Sequence, residues 1–249
     1  MKIAILAGGR GSRLAEETDV KSKAMVPIGD EPVLWHIMCH YAHFGFADFV
    51  VALGYKAESV QDYFRATGEA RPESELAPEH SCFVKDGLTV ELVDTGPDTQ
   101  NGGRIKRLAP YLADRTFMLT WCDGLTDIDI RQLLAFHQDH GGLATLSAVH
   151  PPARFGRLML DGSKVDDFQE KTVDPNEWIN GAYFVLEPGV LELIDDDRTH
   201  FESQTLARLA RDGELMAYRH EGFWQCMDTL KEAKTLDALW REGKVPWKK

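Results

Sequence analysis

Basic residues are scarce in this 249-residue chain: 28 Lys and Arg stand against 40 Asp and Glu, for a formal net charge of −12. General nucleic-acid binding needs a surface that neutralises phosphates, so this balance argues against a nucleic-acid partner. It leaves room for a small anionic ligand held by a local group of cations. Cysteine is scarce too. The 4 cysteines, Cys39, Cys82, Cys122 and Cys226, are dispersed and form no CxxC pair, which disfavours zinc and a disulfide framework. Long apolar runs are missing: nothing approaches the roughly 20 residues of a membrane span, and the short run after Lys2 does not make a secretory signal. These absences predict a cytoplasmic protein with no membrane partner. Internal repeats and low-complexity tracts are absent as well. So is a Walker A ending, since no GK[ST] closes the glycine-rich segment, and Leu14 stands where GxGxxG requires glycine. No nucleophile elbow or Ser-His-Asp order points to a covalent hydrolase.

At 43% hydrophobic residues, the chain can build a sizeable core, and its length suits one domain over 1–249. Ile3–Leu6, Phe49–Leu53 and Phe117–Thr120 read as buried central strands. Helical spacing runs through Pro32–Phe44 and Ala57–Arg65, with Pro32 expected in the first turn. Leu88–Val93, Thr145–Val149, Leu158–Leu160 and Trp178–Leu186 read as further strands, and Lys231–Arg241 as a last helix within a C-terminal helical segment, 229–249. Alternating strands and helices predict an α/β domain with a doubly wound, mixed but mainly parallel sheet. Thr67–His80, rich in Pro, Glu and Ala, is expected to leave the core within an insertion-like excursion over 66–92.

In such a sheet, ligands sit at the carboxyl ends of strands. Directly after the first strand comes Gly8-Gly9-Arg10-Gly11-Ser12-Arg13, followed by Lys21 and Lys23. Glycines let backbone approach a ligand, successive N–H groups form an anion-binding concavity, and the cations add charge. This predicts a polyphosphate site; a glycine-rich βα turn with surface arginines is the plain alternative. Asp123, at the end of FMLTW, is placed to hold Mg²⁺, which takes one or two carboxylates plus substrate phosphates. Asp129 is expected to cap the helix near Ile130, and Asp127 is left open. Asp228, in FWQCMDT, is either a cation or metal partner or the cap of the helix starting at Leu230. Glu170, Lys171 and Asn180-Gly181 each fit an ordinary turn or a sugar-phosphate contact. His36, His40 and His43 lack ligand spacing and are expected to pack or face solvent. The tryptophans are expected in the core or at an interface.

The segments LAGGRGSRLAEET, VKSKAMVPIG, PVLWHIM, VELVDTG, NGGRIKR, FQEK, INGAYFVL and FWQCMDTL together resemble the sugar-1-phosphate nucleotidylyltransferases, and within them the glucose-1-phosphate cytidylyltransferases. The likeness runs almost end to end. It implies a Rossmann-like nucleotidyltransferase fold and a reaction of CTP with α-D-glucose 1-phosphate giving CDP-glucose and pyrophosphate, with Mg²⁺ as cofactor. By position, it implies that Leu6, Ala7, Gly8, Gly9, Arg10, Gly11, Ser12 and Arg13 cradle the nucleotide and that Arg104 lies on it. Lys23, Arg13 and Asp123 would form the catalytic set, Asp123 and Asp228 would hold the metal, and Glu170, Lys171, Asn180 and Gly181 would bind the sugar phosphate. A homo-oligomer is also implied, with Thr67–His80 as one candidate contact. Ser22, Ala24, Asn101, Cys122 and Ala182 depart from the family pattern, which usually has Pro, Pro, Thr, Gly and Gly there. The same fold using another nucleotide or acceptor, or a non-catalytic nucleotide-sensing module, stays open as an alternative.

Overall fold

The computed structural model describes residues 1–11, 14, 18, 21–71, 80–152, 156–170, 174 and 176–248. Its strands are β1 (Lys2–Leu6), β2 (Asp48–Leu53), β3 (Glu69–Arg71), β4 (His80–Lys85), β5 (Leu88–Asp94), β6 (Phe117–Trp121), β7 (Gly124–Thr126), β8 (Ala144–Val149), β9 (Arg157–Asp161), β10 (Lys164–Gln169), β11 (Ile179–Leu186), β12 (Leu215–His220) and β13 (Trp224–Cys226). The principal helices are α1 (Val33–His43), α2 (Ala57–Thr67), α3 (Asn101–Arg107), α4 (Ile130–His140) and α5 (Leu230–Arg241).

Nine strands form one sheet in the order β12-β8-β11-β6-β1-β2-β5-β4-β3. Only β4 and β11 run against the others. Residues alternate between faces along a strand. Thus Ile3, Ile5, Phe49, Val51, Val90 and Met118 pack with α1, α2, α4 and α5, whereas Ala4, Leu6, Val50, Ala52, Phe117 and Leu119 pack with α3 and the Phe201–Leu209 segment. Burial on both faces is why these strands read as continuous apolar runs. Pro32 stands one residue earlier than expected, as the N-cap of α1.

The excursion expected over 66–92 is corrected in its described part. Glu69–Arg71, His80–Lys85 and Leu88–Asp94 are strands of the main sheet, and β5 pairs in parallel with β2. Residues 72–79, the middle of the Pro- and Glu-rich stretch, lie outside the described residues. Asp86-Gly87 closes the β4–β5 hairpin with φ of 48° and 81°, the left-handed pair that a two-residue I′ turn requires. Asp129 caps α4 as expected, its Oδ1 accepting from the N–H groups of Arg131 (2.9 Å) and Gln132 (3.1 Å).

Ala182 stands inside β11 with φ 62°, a left-handed conformation that crowds an alanine Cβ. The register across β8 shifts between Leu146 and Ala148 at the same place, and Asn180 Oδ1 accepts from the Ala182 N–H at 2.8 Å. The bulge holds Ala182 where a glycine would sit without strain. Ala182→Gly is therefore expected to raise stability by roughly 1 kcal/mol, the relief of the left-handed strain less the added chain entropy. Denaturant melts test this, and an unchanged or lowered midpoint would count against it.

Candidate active site

The carboxyl ends of β1 and β6 face one cleft of about 450 Å³. β1 pairs with β2 on one side and β6 on the other, so the chain changes direction of winding here, the place where open α/β sheets bind ligands. Leu6, Gly8, Gly9, Arg10 and Gly11 form one wall, Trp121, Cys122 and Asp123 another, and Lys23 and Asp228 lie between them. Ala7 is buried behind the loop and donates to Ala52 O at 2.9 Å. Gly11 has φ +60°, and a Cβ there would fall 2.9 Å from Thr18 Cγ2. Ser12 and Arg13 lie outside the described residues.

Lys23 is the centre of the arrangement. Its Nζ donates to Asp123 Oδ2 at 2.6 Å and to Asp228 Oδ1 at 2.7 Å. Burial pulls the Lys23 pKa down, but the two carboxylates outweigh it and hold it above the ordinary lysine value. The backbone beneath is firmly placed. Ser22 Oγ donates to Ala7 O at 3.3 Å, the Ser22 N–H donates to Ser59 Oγ at 3.0 Å, and Ala24 is fully buried. Ser22 and Ala24 thus fix the Lys23–Met25 turn by hydrogen bonding and packing.

The two carboxylates come from different segments joined by backbone. Met227 N–H donates to Asp123 O at 2.8 Å, and Tyr183 Oη–H donates to Gly124 O at 2.8 Å, fixing the turn behind Asp123. The cap of α5 is Thr229, not Asp228: Thr229 Oγ1 accepts from the Glu232 N–H, and Glu232 Oε2 accepts from the N–H groups of Asp228 and Thr229, a reciprocal capping box. With the helix end satisfied by its neighbours, the Asp228 side chain is directed to Lys23. Asp127, left open by the sequence, pairs with His220 Nε2 at 2.9 Å.

Cys122 lies buried beside Asp123. Burial first, and the Asp123 charge second, push its thiol up to about 12, with Lys23 partly opposing. It presents a neutral S–H to the cleft wall. Arg104 also lines the cleft, but its guanidinium is engaged with main chain. Nη1 donates to Leu53 O (2.9 Å), Thr95 Oγ1 (2.7 Å) and Gly96 O (2.7 Å). A Cβ at Gly8 or Gly54 would fall 2.3 Å from this Nη1. Arg104 therefore ties the end of β2 to the 95–97 turn and packs closely against Gly8.

The sequence reading missed the opposite wall: Pro97, Asp98, Thr99, Gln100 and His200. Asp98 Oδ1 accepts from Arg10 Nη2 at 2.9 Å across the mouth. The signal was available, because residues 95–100 follow the carboxyl end of β5 just as the glycine loop follows β1. Of the sugar-side candidates, Glu170, Asn180 and Gly181 do not line this cleft. Glu170 is exposed at the end of the β9–β10 hairpin, and Lys171 lies outside the described residues. Asn180 and Gly181 stand nearer: Gly181 O accepts from Trp224 Nε1 at 2.8 Å, and that indole lies against Gly124, next to Asp123.

Among the described residues, no cluster of three or more His, Cys, Asp and Glu is placed to hold a metal. Asp123 and Asp228 still fit magnesium. They offer two hard oxygen donors facing one cation position, and Mg²⁺ ordinarily completes its shell with water and substrate phosphates.

A glycine loop and an opposed carboxylate pair at the switch point of a doubly wound sheet define a nucleotide-handling transferase site. The chain belongs to the nucleotidyl transferase family, whose profile matches residues 2–231. Among named relatives, it is 45% identical over 256 residues to the glucose-1-phosphate cytidylyltransferase of Salmonella typhi, with 100% of this chain and 99% of that protein aligned. Its fold is that of HddC from Yersinia pseudotuberculosis (TM-score 0.72, 21% identity, 96% of this chain and 99% of that one). It is also that of a UDP-glucose pyrophosphorylase solved with UDP-glucose (TM-score 0.70, 15% identity, 97% and 98% covered). Among the described residues, no helix is long and apolar enough to cross a membrane.

Proposed function

We propose that this nucleotidyltransferase joins CTP to α-D-glucose 1-phosphate, forming CDP-glucose and releasing pyrophosphate. The observation that carries the chemistry is the Asp123–Lys23–Asp228 trio in one cleft with the glycine loop. Support for the base and the sugar comes from the full-length likeness to the Salmonella typhi cytidylyltransferase.

A phosphate oxygen of the sugar phosphate attacks the α-phosphorus of CTP, the new P–O bond forms, and pyrophosphate leaves with the electrons of the broken bond. The nucleophile is already ionised, so no side-chain base is required. The difficulty is bringing two polyanions together, and the chain's answer is positioning and charge. The N–H groups and cations of Gly8–Gly11 with Arg10, Ser12 and Arg13 hold the triphosphate, and Arg104 keeps the loop in shape. Lys23 meets the charge that builds on the α-phosphate. Asp123 and Asp228 would hold Mg²⁺, which when bound screens the phosphates. Asn180 and Gly181, the latter joined to the Asp123 corner through Trp224, mark the acceptor side, and Glu170 and Lys171 are the further residues proposed for the sugar phosphate. A cytoplasmic location suits an enzyme that draws on nucleoside triphosphates.

A pyrophosphate-release panel over the common nucleoside triphosphates and several hexose 1-phosphates tests the reading. CTP with glucose 1-phosphate is expected to be the best pair. Release with no pair at all would sink the enzymatic reading in favour of a nucleotide-sensing module.

We further propose a homo-oligomer whose contact includes the β9–β10 hairpin. Leu158, Leu160, Val165 and Phe168 expose half or more of their surface, and the pairing Leu158↔Phe168 and Leu160↔Val165 gathers them on one face. An isolated two-stranded ribbon is marginal in water, so this apolar face needs a cover. Light scattering is expected to show an oligomer that Leu160→Glu with Phe168→Glu dissociates. A monomeric wild-type protein would end the proposal.

A further inference from the structure

We propose that in the nucleotide-free enzyme, Lys23 holds the place of the divalent cation between Asp123 and Asp228, and that exchange of its ammonium makes cation uptake conditional on a bound polyphosphate. This rests on the reading of the two aspartates as cation ligands.

The ammonium lies 2.6 Å from one carboxylate and 2.7 Å from the other, the spacing of two charge-assisted hydrogen bonds converging on one point. The backbone that carries each carboxylate is fixed by its own segment, next to Asp123 by the Tyr183–Gly124 bond and at Asp228 by the α5 capping box. Those backbone bonds do not involve Lys23. The Lys23 backbone is fixed by Ser22 and the buried turn, but its four-carbon stem can swing the head without moving that backbone.

A cation arriving alone must push the Lys23 head out of a cleft in which nearly all of that side chain is buried. An ammonium without a partner there is costly. When a polyphosphate lies on the glycine loop, the displaced head has an anion to meet, and the cost falls. Cation and nucleotide then bind with positive coupling, and linkage requires each to tighten the other by the same factor. Arg10 repeats the pattern at the mouth, held by Asp98 until a phosphate replaces it.

Equilibrium dialysis of the full chain against Mn²⁺ without nucleotide tests the exchange. Lys23→Met is expected to bind Mn²⁺ about tenfold or more tightly than the wild type, within the usual range of coupling between sites. Adding Asp228→Asn to that variant should remove the gain. Equal or weaker Mn²⁺ binding by Lys23→Met would overturn the proposal. Should that variant not fold, Lys23→Gln, which keeps a hydrogen-bonding head between the carboxylates, carries the same comparison. A parallel wild-type arm with CTP separates the two readings. Protein-bound Mn²⁺ in that arm, without a gain in Lys23→Met, rejects the exchange alone. No bound Mn²⁺ in either protein, with or without CTP, rejects the aspartates as ligands.

Discussion

Asp123→Asn and Asp228→Asn are each expected to lower turnover to about a thousandth of wild type or less, beyond the loss of a single transition-state donor. Both substitutions keep side-chain volume and leave one carbonyl oxygen that can accept from Lys23. Each leaves Lys23 with one carboxylate partner, since the ammonium bridges two. The fold should therefore survive, and the Asp123 turn and the α5 cap that frame the site are made by Tyr183, Thr229 and Glu232. What is lost is half of the paired oxygen set that magnesium needs. Pyrophosphate release by the folded variants, with circular dichroism as the control, is the measurement. Near-normal Mg²⁺-dependent turnover in either variant would reject the metal assignment.

Lys23→Ala is expected to cost on the order of 10²-fold or more in kcat, by analogy with removing one preorganised donor from a transition state. Lys23 is nine-tenths buried and lines the same cleft as the glycine loop. In the proposed reaction its head meets the charge that builds on the α-phosphate. An effect on KM alone would assign Lys23 to ground-state binding, because an interaction made only in the transition state lowers kcat. A loss of no more than a few-fold would refute the role.

Much of this site was legible in the sequence because its parts follow strands. The glycine loop follows β1 and Asp123 follows β6, and both strands announced themselves as apolar runs buried on two faces. The same rule applied to β5 would have found Asp98, Thr99 and Gln100. Asp228 was not legible from spacing alone: a single acid before Thr229 serves equally well as a helix cap. The choice depended on Thr229 and Glu232 closing the capping box, which left the Asp228 carboxylate to turn toward a lysine 205 residues away in the chain. The excursion over 66–92 was misread because its Pro- and Glu-rich middle hid the two strands that flank it, the edge strand β3 and its neighbour β4, although Asp86-Gly87 between β4 and β5 is a hairpin signal.

By itself, the sequence determined the alternation of strands and helices, the glycine loop after the first strand and the family of this protein. These are local patterns: apolar periodicity, glycine spacing and short motifs within a few residues of one another. Only the tertiary structure decided that Lys23 sits between Asp123 and Asp228, that Arg104 packs against Gly8 and ties β2 to the 95–97 turn, and that Ala182 carries a left-handed strain. Those are relations between residues far apart in the chain. They are set by the order in which strands pair and by which neighbours satisfy each buried polar group.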